Sequence, residues 1–480
     1  MTGSERAAHG AGSRVIGESE VGPRRAVALR VEDGRFHTHV VGATGSGKST
    51  LLANLALADV RAGRGVVMID PKGDLVTDLL TRLPERALDR LVLIDPKETE
   101  APPALNVLDG EPAEVAVDQV VSVFARIFSA WWGPRTEDVL RSACATLRRL
   151  PGATLADIPV LLTDRAWRAP LVSSLSDRSG LKGFWDAYDA LSAAGQAQVI
   201  GPIMNKLRAV LARRFARELF GSATSSFDMA DVLDGGVLLA RLPKGTLGEE
   251  TARLVGALLV ARVWQAATAR AEKTVRPDAT LYVDECQNFL ALPTAIDDVL
   301  AEARGYHLSV VLPHQNLAQL PKDLAEACSA NARNKIYLCV SPEDARVLAR
   351  HTEPYLKPYD LSHLDAYQVA CRLVVGGRDL HAFTLRTRPL PPAVCGREAE
   401  ARARARAHGR SPQERCHELL VRRRRHRNRQ AGGESGGVSA GVPGGVSGGV
   451  FETPGPGPEN HRHRATPTPA SGDPDSWSNP

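Results

Sequence analysis

The sequence predicts an α/β fold: a parallel sheet that carries a phosphate-binding loop and is interrupted by a block of helices. Three observations predict it. The stretch Gly42-Ala43-Thr44-Gly45-Ser46-Gly47-Lys48-Ser49-Thr50 fits G-x-x-x-x-G-K-[ST] between a β-branched run, His37–Val41, and an apolar helical stretch, Leu51–Ala58. Two further apolar runs, Gly65–Asp70 and Leu91–Asp95, both end in Asp-Pro-Lys, and helical stretches separate them. From about residue 111 to 231 the pattern turns helical, with almost no strand signal, before strand-like runs resume.

The elements follow in order. Met1 to Gly22 is polar and glycine-rich, and it predicts a disordered N-terminus over 1–22. Arg24 to Phe36 predicts a strand and a turn at Asp33-Gly34 that lead into the loop strand. The first part of the sheet domain then spans 23–110. In the helical block, 111–231, the best helices are Val115–Ala130, Thr136–Leu150, Leu181–Ala193 and Pro202–Leu219. Pro202 suits a first helical position, and Thr154-Leu155-Ala156-Asp157 fits a capping box with Asp in place of Glu or Gln.

The second part of the sheet spans 232–395. Its strands are Gly236–Leu242, Thr280–Asp284, His307–Leu312 and Lys335–Val340, with a helix over Gly248–Ala271. A closing hairpin pairs Val369–Val375 with Leu380–Thr384 across Gly376-Gly377. Residues 396–480 begin arginine-rich and end in Gly, Ser, Pro and Val, which predicts a disordered tail.

Composition narrows the function. At 480 residues the chain can bury a sizeable core, and no run approaches the ~18 apolar residues of a membrane helix. The N-terminus has no apolar core of a signal peptide. Seven scattered cysteines with no C-x-x-C pair fit reduced thiols and a cytoplasmic protein, not zinc or disulfides. The charge is uneven: residues 396–430 hold 12 arginines against 4 glutamates, while the whole chain carries +5. The basic segment, with Arg402, Arg404, Arg406, Arg410 and the run Arg422–Arg425 with Arg427 and Arg429, fits contact with the phosphate backbone of DNA without sequence preference.

The loop has a clear chemistry. Glycines Gly42, Gly45 and Gly47 let backbone N–H groups of Thr44, Ser46 and their neighbours turn inward, and the helix that starts near Lys48 adds partial positive charge. Lys48 reaches the β- and γ-phosphates, the Ser49 hydroxyl ligates Mg²⁺, and Thr50 continues the cradle, so ATP and Mg²⁺ are the expected cofactors. Leu281-Tyr282-Val283-Asp284-Glu285 supplies the other half of such a site. Asp284 holds the metal and Glu285 polarises the attacking water as general base. Gln315, just after the strand ending at Leu312, is placed to sense the γ-phosphate or position the water. Arg304 is a candidate arginine for the transition-state charge, supplied by a neighbouring subunit. Asp70-Pro71-Lys72-Gly73-Asp74 fits equally a support for metal or phosphate and a turn dictated by Pro and Gly.

The motifs His39–Thr50, Val67–Asp74, Leu281–Glu285 and His314-Gln315-Asn316 stand in an order that resembles the TraG/TraD-type coupling ATPases of conjugation and type IV secretion, within the wider HerA/FtsK group. The resemblance covers roughly residues 25–390. It implies a RecA-like P-loop NTPase sheet domain with an inserted all-α domain, a homo-hexameric ring, and ATP-driven DNA translocation. It also implies a relaxase and a membrane-embedded transfer partner, which would hold a cytoplasmic chain peripherally at the inner face of the membrane. Many members have N-terminal membrane helices, and this sequence has none. The arginine-rich tail is not explained by the resemblance. The alternatives are a HerA- or FtsK-like motor for repair or segregation, a secretion ATPase that moves protein, and a non-enzymatic nucleotide switch. The acid pair Asp284-Glu285 speaks against a switch, which needs no base in place.

Overall fold

The computed structural model describes residues 12–110, 112–176, 180–290, 296–411, 413–418 and 420. In chain order the strands are β1 (Ser13–Ser19), β2 (Ala26–Arg30), β3 (Thr38–Val41), β4 (Gly65–Asp70), β5 (Leu91–Ile94), β6 (Val237–Arg241), β7 (Ala279–Val283) and β8 (Leu308–His314). They continue with β9 (Asn334–Tyr337), β10 (Gln368–Arg372), β11 (Val374–Val375), β12 (Arg378–Asp379) and β13 (Phe383–Thr387). Among the described residues they form an 11-stranded sheet in the order β2-β1-β13-β10-β9-β3-β8-β7-β4-β6-β5, and a small β11–β12 ribbon. The run from β9 to β5 is parallel throughout. β10, β13, β1 and β2 extend it in antiparallel fashion.

Burial explains the strand composition. β3, β4, β5 and β7 are buried at every position, because helices cover both faces of a parallel sheet. On one face the loop helix Lys48–Arg61 and the helix Asp74–Leu80 share a core with Val40, Val66, Met68 and Leu239. On the other, the long helix Glu249–Thr268 packs in a core with Val67, Ile69, Leu281 and Val310.

Between β5 and β6 the described residues form helices only, from Ala113–Ile127 to Met229–Leu233. Their apolar faces, with Phe124, Leu140, Trp185 and Leu207, join the same core as the second sheet face. The Thr154 capping box forms: Thr154 N–H donates to Asp157 Oδ2 at 2.7 Å, and Ala156 N–H to Thr154 Oγ1 at 3.2 Å. Pro202 differs from expectation. It lies inside the helix Ala193–Leu211, which starts earlier because the Ser192 hydroxyl caps it by accepting from Gly195 N–H. The first turns of that helix are small, polar and mostly exposed, so they lack the periodicity that would have placed its start.

Residues 13–19 and 397–405 are more ordered than composition predicts. Residues 13–19, expected within a disordered N-terminus, form β1 between β2 and β13. Arg14 disguised this strand, because its charge is buried by pairing. Its Nε lies 2.7 Å from Asp59 Oδ1, Arg64 Nε donates to the same oxygen at 2.7 Å, and Tyr282 hydroxyl donates to Asp59 Oδ2 at 2.7 Å. Arg14 Nη2 also reaches Thr280 Oγ1 at 2.7 Å.

At the other end, residues 397–405, expected within the disordered tail, form a helix behind Gly396, with Ala401 and Ala405 buried in the first core. Arginine content hid an alanine face and two i,i+4 Glu–Arg pairs, Glu398–Arg402 and Glu400–Arg404. The run Arg422–Arg429 lies outside the described residues, as do residues 1–11.

The Asp59 cluster ties β1, the loop helix and β7 together. Burial alone would raise the Asp59 pKa, yet Arg14, Arg64 and the Tyr282 hydroxyl hold it below the usual carboxylate range. Asp59→Asn should destabilise the fold by ~3–5 kcal/mol at pH 7, since two guanidiniums then lose their buried counter-charge. A group with a depressed native pKa contributes its full stability above the unfolded value of about 4 and loses it as pH falls through the native value. The gap between wild type and variant in urea melts should therefore close only below about pH 4. Equal midpoints at pH 7 would overturn the assignment.

Candidate nucleotide-binding and hydrolysis site

Four neighbouring strands of the parallel sheet, β3, β8, β7 and β4, deliver their carboxyl ends to one edge, where crevices of such sheets form. The loop after β3 is tied down on both sides: Gly42 N–H donates to His314 carbonyl at 3.3 Å and Ala43 N–H to Cys339 carbonyl at 2.9 Å. A side chain at Gly42 would collide with Leu338 Cβ and Ser46 Oγ at 2.8 Å, and Gly47 turns at φ +106°. The Ser46 hydroxyl closes the loop on Ala43 carbonyl at 2.7 Å. The helix begins at Lys48, which directs its free N–H groups at the loop mouth. Ser49 is exposed there.

Lys48 Nζ is buried and has no hydrogen-bond partner; its nearest counter-charge is Glu285 Oε1 at 3.7 Å. Burial pushes the lysine pKa down while Glu285 and Asp284 pull it up. Asp284 follows β7 directly, with its N–H donating to Ile69 carbonyl at 3.0 Å. Its Oδ1 is likewise buried without a hydrogen-bond partner. Burial, with Asp70 and Glu285 nearby, lifts the Asp284 pKa to about 6, against the pull of Lys48. An orphaned ammonium over a glycine cradle fits a phosphate, and an orphaned carboxylate oxygen with an exposed serine hydroxyl at the helix start fits a hard cation. Ser49 and Asp284 are thus the residues that would hold Mg²⁺.

Glu285 occupies a left-handed conformation at φ +50°, which for a non-glycine residue costs of order 1–3 kcal/mol and must be held by its surroundings. Its Oε1 receives Gln315 Nε2 at 2.5 Å and Lys72 Nζ at 3.1 Å, and its Oε2 receives Gln287 Nε2 at 3.1 Å. Burial raises this carboxyl, but Lys48 and the hydrogen bonds from Gln287, Gln315 and Lys72 more than offset that and leave its pKa below the ordinary value. Gln315 bridges the site, because its Oε1 accepts from Thr44 Oγ1 at 3.2 Å while its amide holds Glu285. β8 runs two residues beyond the expected Leu312, which sets His314 in the strand and Gln315 immediately at its end.

The Asp-Pro-Lys-Gly-Asp stretch splits its roles. Asp70 is fully buried and accepts backbone N–H bonds from Lys72 at 2.8 Å, Gly73 at 2.7 Å and Val76 at 3.0 Å, so its carboxylate is consumed by the turn. Lys72, which the turn projects, reaches Glu285. Arg304 is not brought to the site. It follows the helix Ile296–Ala303 and precedes β8, so it stands at the amino end of that strand, roughly 20 Å from Gln315 at the strand's 3.3 Å rise per residue. There its guanidinium lies 3.9 Å from the centre of the Phe36 ring. Gln287 and Lys72 join the site without having been singled out for Glu285. Gln287 stands two residues beyond the acid pair, which is a readable signal.

A nucleotide loop on β3, an acid pair on β7 and a bridging glutamine on the strand between them define a P-loop ATPase of RecA-like architecture. The family described as "Helicase HerA, central domain" matches residues 15–156. No curated protein matches the sequence. Among solved structures, the bacterial conjugative coupling protein TrwBdeltaN70 is similar at a TM-score of 0.54 and 15% identity, over 76% of this chain and 88% of that one. Plasmid coupling protein TrwB in complex with ADP and Mg²⁺ gives 0.54 and 17%, over 77% and 89%. VirB4 of Thermoanaerobacter pseudethanolicus gives 0.54 and 14%, over 79% and 96%. The fold of the coupling ATPases, which the motif order resembles, is therefore the fold of this chain.

Lys48→Ala should abolish nucleotide hydrolysis and strongly weaken nucleotide binding, because the loop loses its point charge. Titration of purified variant and wild type with a fluorescent ATP analogue, alongside phosphate release, checks this. Normal turnover in the variant would remove Lys48 from the site.

Proposed function

We propose that the protein is an ATP-driven DNA translocase that serves as a coupling ATPase in a conjugative, type IV secretion-like system. The observation that carries the reading is the Glu285 carboxylate, held by Gln315, Gln287 and Lys72 beside an orphaned Lys48 and an orphaned Asp284 oxygen. This arrangement supports hydrolysis as well as binding. The fold shared with TrwB and VirB4 supports the coupling role. The match to the HerA central domain favours a second reading, a DNA-pumping motor for repair or segregation.

In the proposed mechanism, N–H groups from Gly45 to Thr50 and the Lys48 ammonium bind the phosphates. Mg²⁺ held by Ser49 and Asp284 would neutralise charge on the β- and γ-phosphate oxygens. Glu285 accepts the proton of the attacking water as the γ-phosphorus–oxygen bond to ADP breaks. Lys48 Nζ lies 3.7 Å from Glu285 Oε1. Phosphate in the loop would draw the lysine away and leave the carboxylate a better base. Gln315, joined to both Thr44 and Glu285, would report the γ-phosphate to the base.

The chain is proposed to act as a homo-hexamer on DNA, with a relaxase and a membrane-embedded partner, at the inner face of the membrane. Among the described residues no helix is long and apolar enough to cross a membrane. Residues 111–231 are proposed as an inserted helical domain. An Arg304 role across subunits would require the neighbour's nucleotide to lie level with the amino end of β8.

Glu285→Gln should bind ATP with wild-type affinity and lower kcat by ~10²–10⁴-fold, since the base is lost while the metal ligands remain. Unchanged turnover would move the base elsewhere. Wild-type ATPase activity should rise on addition of single- or double-stranded DNA. Deletion of 421–480, which spares the packed helix 397–405, should weaken DNA binding and flatten its salt dependence. Hydrolysis indifferent to both DNA forms would overturn the translocase reading.

A further inference from the structure

Tyr367 stands 320 positions from Gly47 in the chain, yet it is joined to the phosphate loop. Its backbone N–H donates to Ser46 carbonyl at 2.9 Å. Its carbonyl accepts from Thr387 N–H at 2.8 Å and Thr387 Oγ1 at 3.1 Å. These bonds hold it at φ +67°, a left-handed conformation that an aromatic residue rarely adopts. The ring rests on Gly47: a Cβ built on that glycine would lie 2.7 Å from Tyr367 Cδ1. Despite this close seating the residue is 45% exposed.

Other exposed tyrosines rest against a second ring. Tyr359 stacks on His363 at 3.9 Å between ring centres, and Tyr355 lies against His381 at 4.4 Å. Among the described residues Tyr367 has no ring partner, and its hydroxyl has no hydrogen bond.

The surroundings point to what the ring faces. Gly47, Thr50 and Asn54 share one side of the loop helix, at i, i+3 and i+7 spacing. Tyr367 closes one end of this strip. The chain just after β13 borders the other, where Asn54 Nδ2 donates to Arg388 carbonyl at 2.8 Å. Thr50 and Asn54, between them, are only half-buried. Phosphates lie against the loop's N–H groups, so the nucleoside of a bound nucleotide must leave past this open side of the helix start.

We propose that Tyr367 is the platform on which the nucleoside of the bound nucleotide stacks, with the left-handed backbone serving to aim the ring over Gly47. The inference rests on the nucleotide-binding reading above and adds the residue that holds the base end of the ligand. Stacking on a π-face is tolerant of base identity, so the platform fixes position and affinity more than base choice.

The test uses the full chain, with Mg²⁺ present, and compares ATP with inorganic tripolyphosphate, which has the phosphates and no nucleoside. Tyr367→Asn removes the ring with a residue that tolerates the left-handed backbone. Tyr367→Phe keeps the ring. The expected result is about a tenfold loss of ATP affinity in the Asn variant, unchanged tripolyphosphate affinity, and wild-type behaviour of the Phe variant. KM for ATP should rise while kcat at saturation stays near wild type. Equal losses for ATP and tripolyphosphate would show that the ring only props the loop and would overturn the proposal. Unchanged ATP affinity in the Asn variant would overturn it too. A wild-type chain that binds neither ligand would overturn the nucleotide reading, and this inference with it.

Discussion

The parallel register of β3, β8, β7 and β4 is the constraint on which the site depends. Val41 pairs with His314, and Tyr282 pairs with Val311, so the strands end nearly level. Adjacent strands are about 4.8 Å apart, and one strand intervenes between loop and acid pair, so their backbones stand about 10 Å apart. That gap suits a terminal phosphoryl group with a water behind it. It also explains the place of Gln315. A side chain at the end of the intervening strand is the one positioned to touch both walls, and it does so through Thr44 and Glu285.

Charge balance follows from this convergence. Two ammonium groups, Lys48 and Lys72, face two carboxylates, Asp284 and Glu285. Asp70 adds a third negative charge, which helps lift the Asp284 pKa, while backbone N–H groups hold its carboxylate within its own turn. The environments then separate the acids. Asp284 is the more deeply buried, with one oxygen unpartnered, and its pKa is lifted to about 6. Glu285 is held in a web of donors and stays below the ordinary range. In the proposed roles, a cation held by Asp284 would favour its anion, and a phosphate that drew Lys48 away would make Glu285 a better base.

The legible parts of the sequence were those with local patterns. The loop glycines, Lys48 and the apolar run before Asp284 carry their chemistry within a few residues, and the buried strands are continuous apolar runs. The illegible parts depend on distant partners. Arg14 looks like a solvated charge until Asp59 and Thr280 are beside it. Tyr367 carries no signal at all, because its meaning comes from Gly47. Arg304 teaches a different lesson. It is expected to act on a neighbouring subunit's nucleotide, and within its own chain it stands away from Gln315, because a residue just before a parallel strand lies at the end opposite to one just after it.

The C-terminal arginines make the same point about composition. A count of 12 arginines over 35 residues suggests a surface for phosphates. In the folded part these arginines are already committed. Arg402 meets the fully buried Asp95 at 2.9 Å, Arg404 meets Asp89 at 2.9 Å, and Arg406 meets Glu98 at 3.1 Å. Arg410 pairs with Glu418 at 2.8 Å and Arg415 with Glu218 at 3.4 Å. Asp95 stands just past β5 and also receives Arg241 at 3.4 Å. The helix thus neutralises carboxylates at β5, which among the described residues is the last strand of the sheet. To release these arginines for a nucleic acid, the chain would have to strip buried acids such as Asp95 and Glu98 of these partners, at a cost that surface phosphate contacts would first have to offset. Nucleic-acid contact through the arginines of the folded part would therefore come at the expense of these ion pairs.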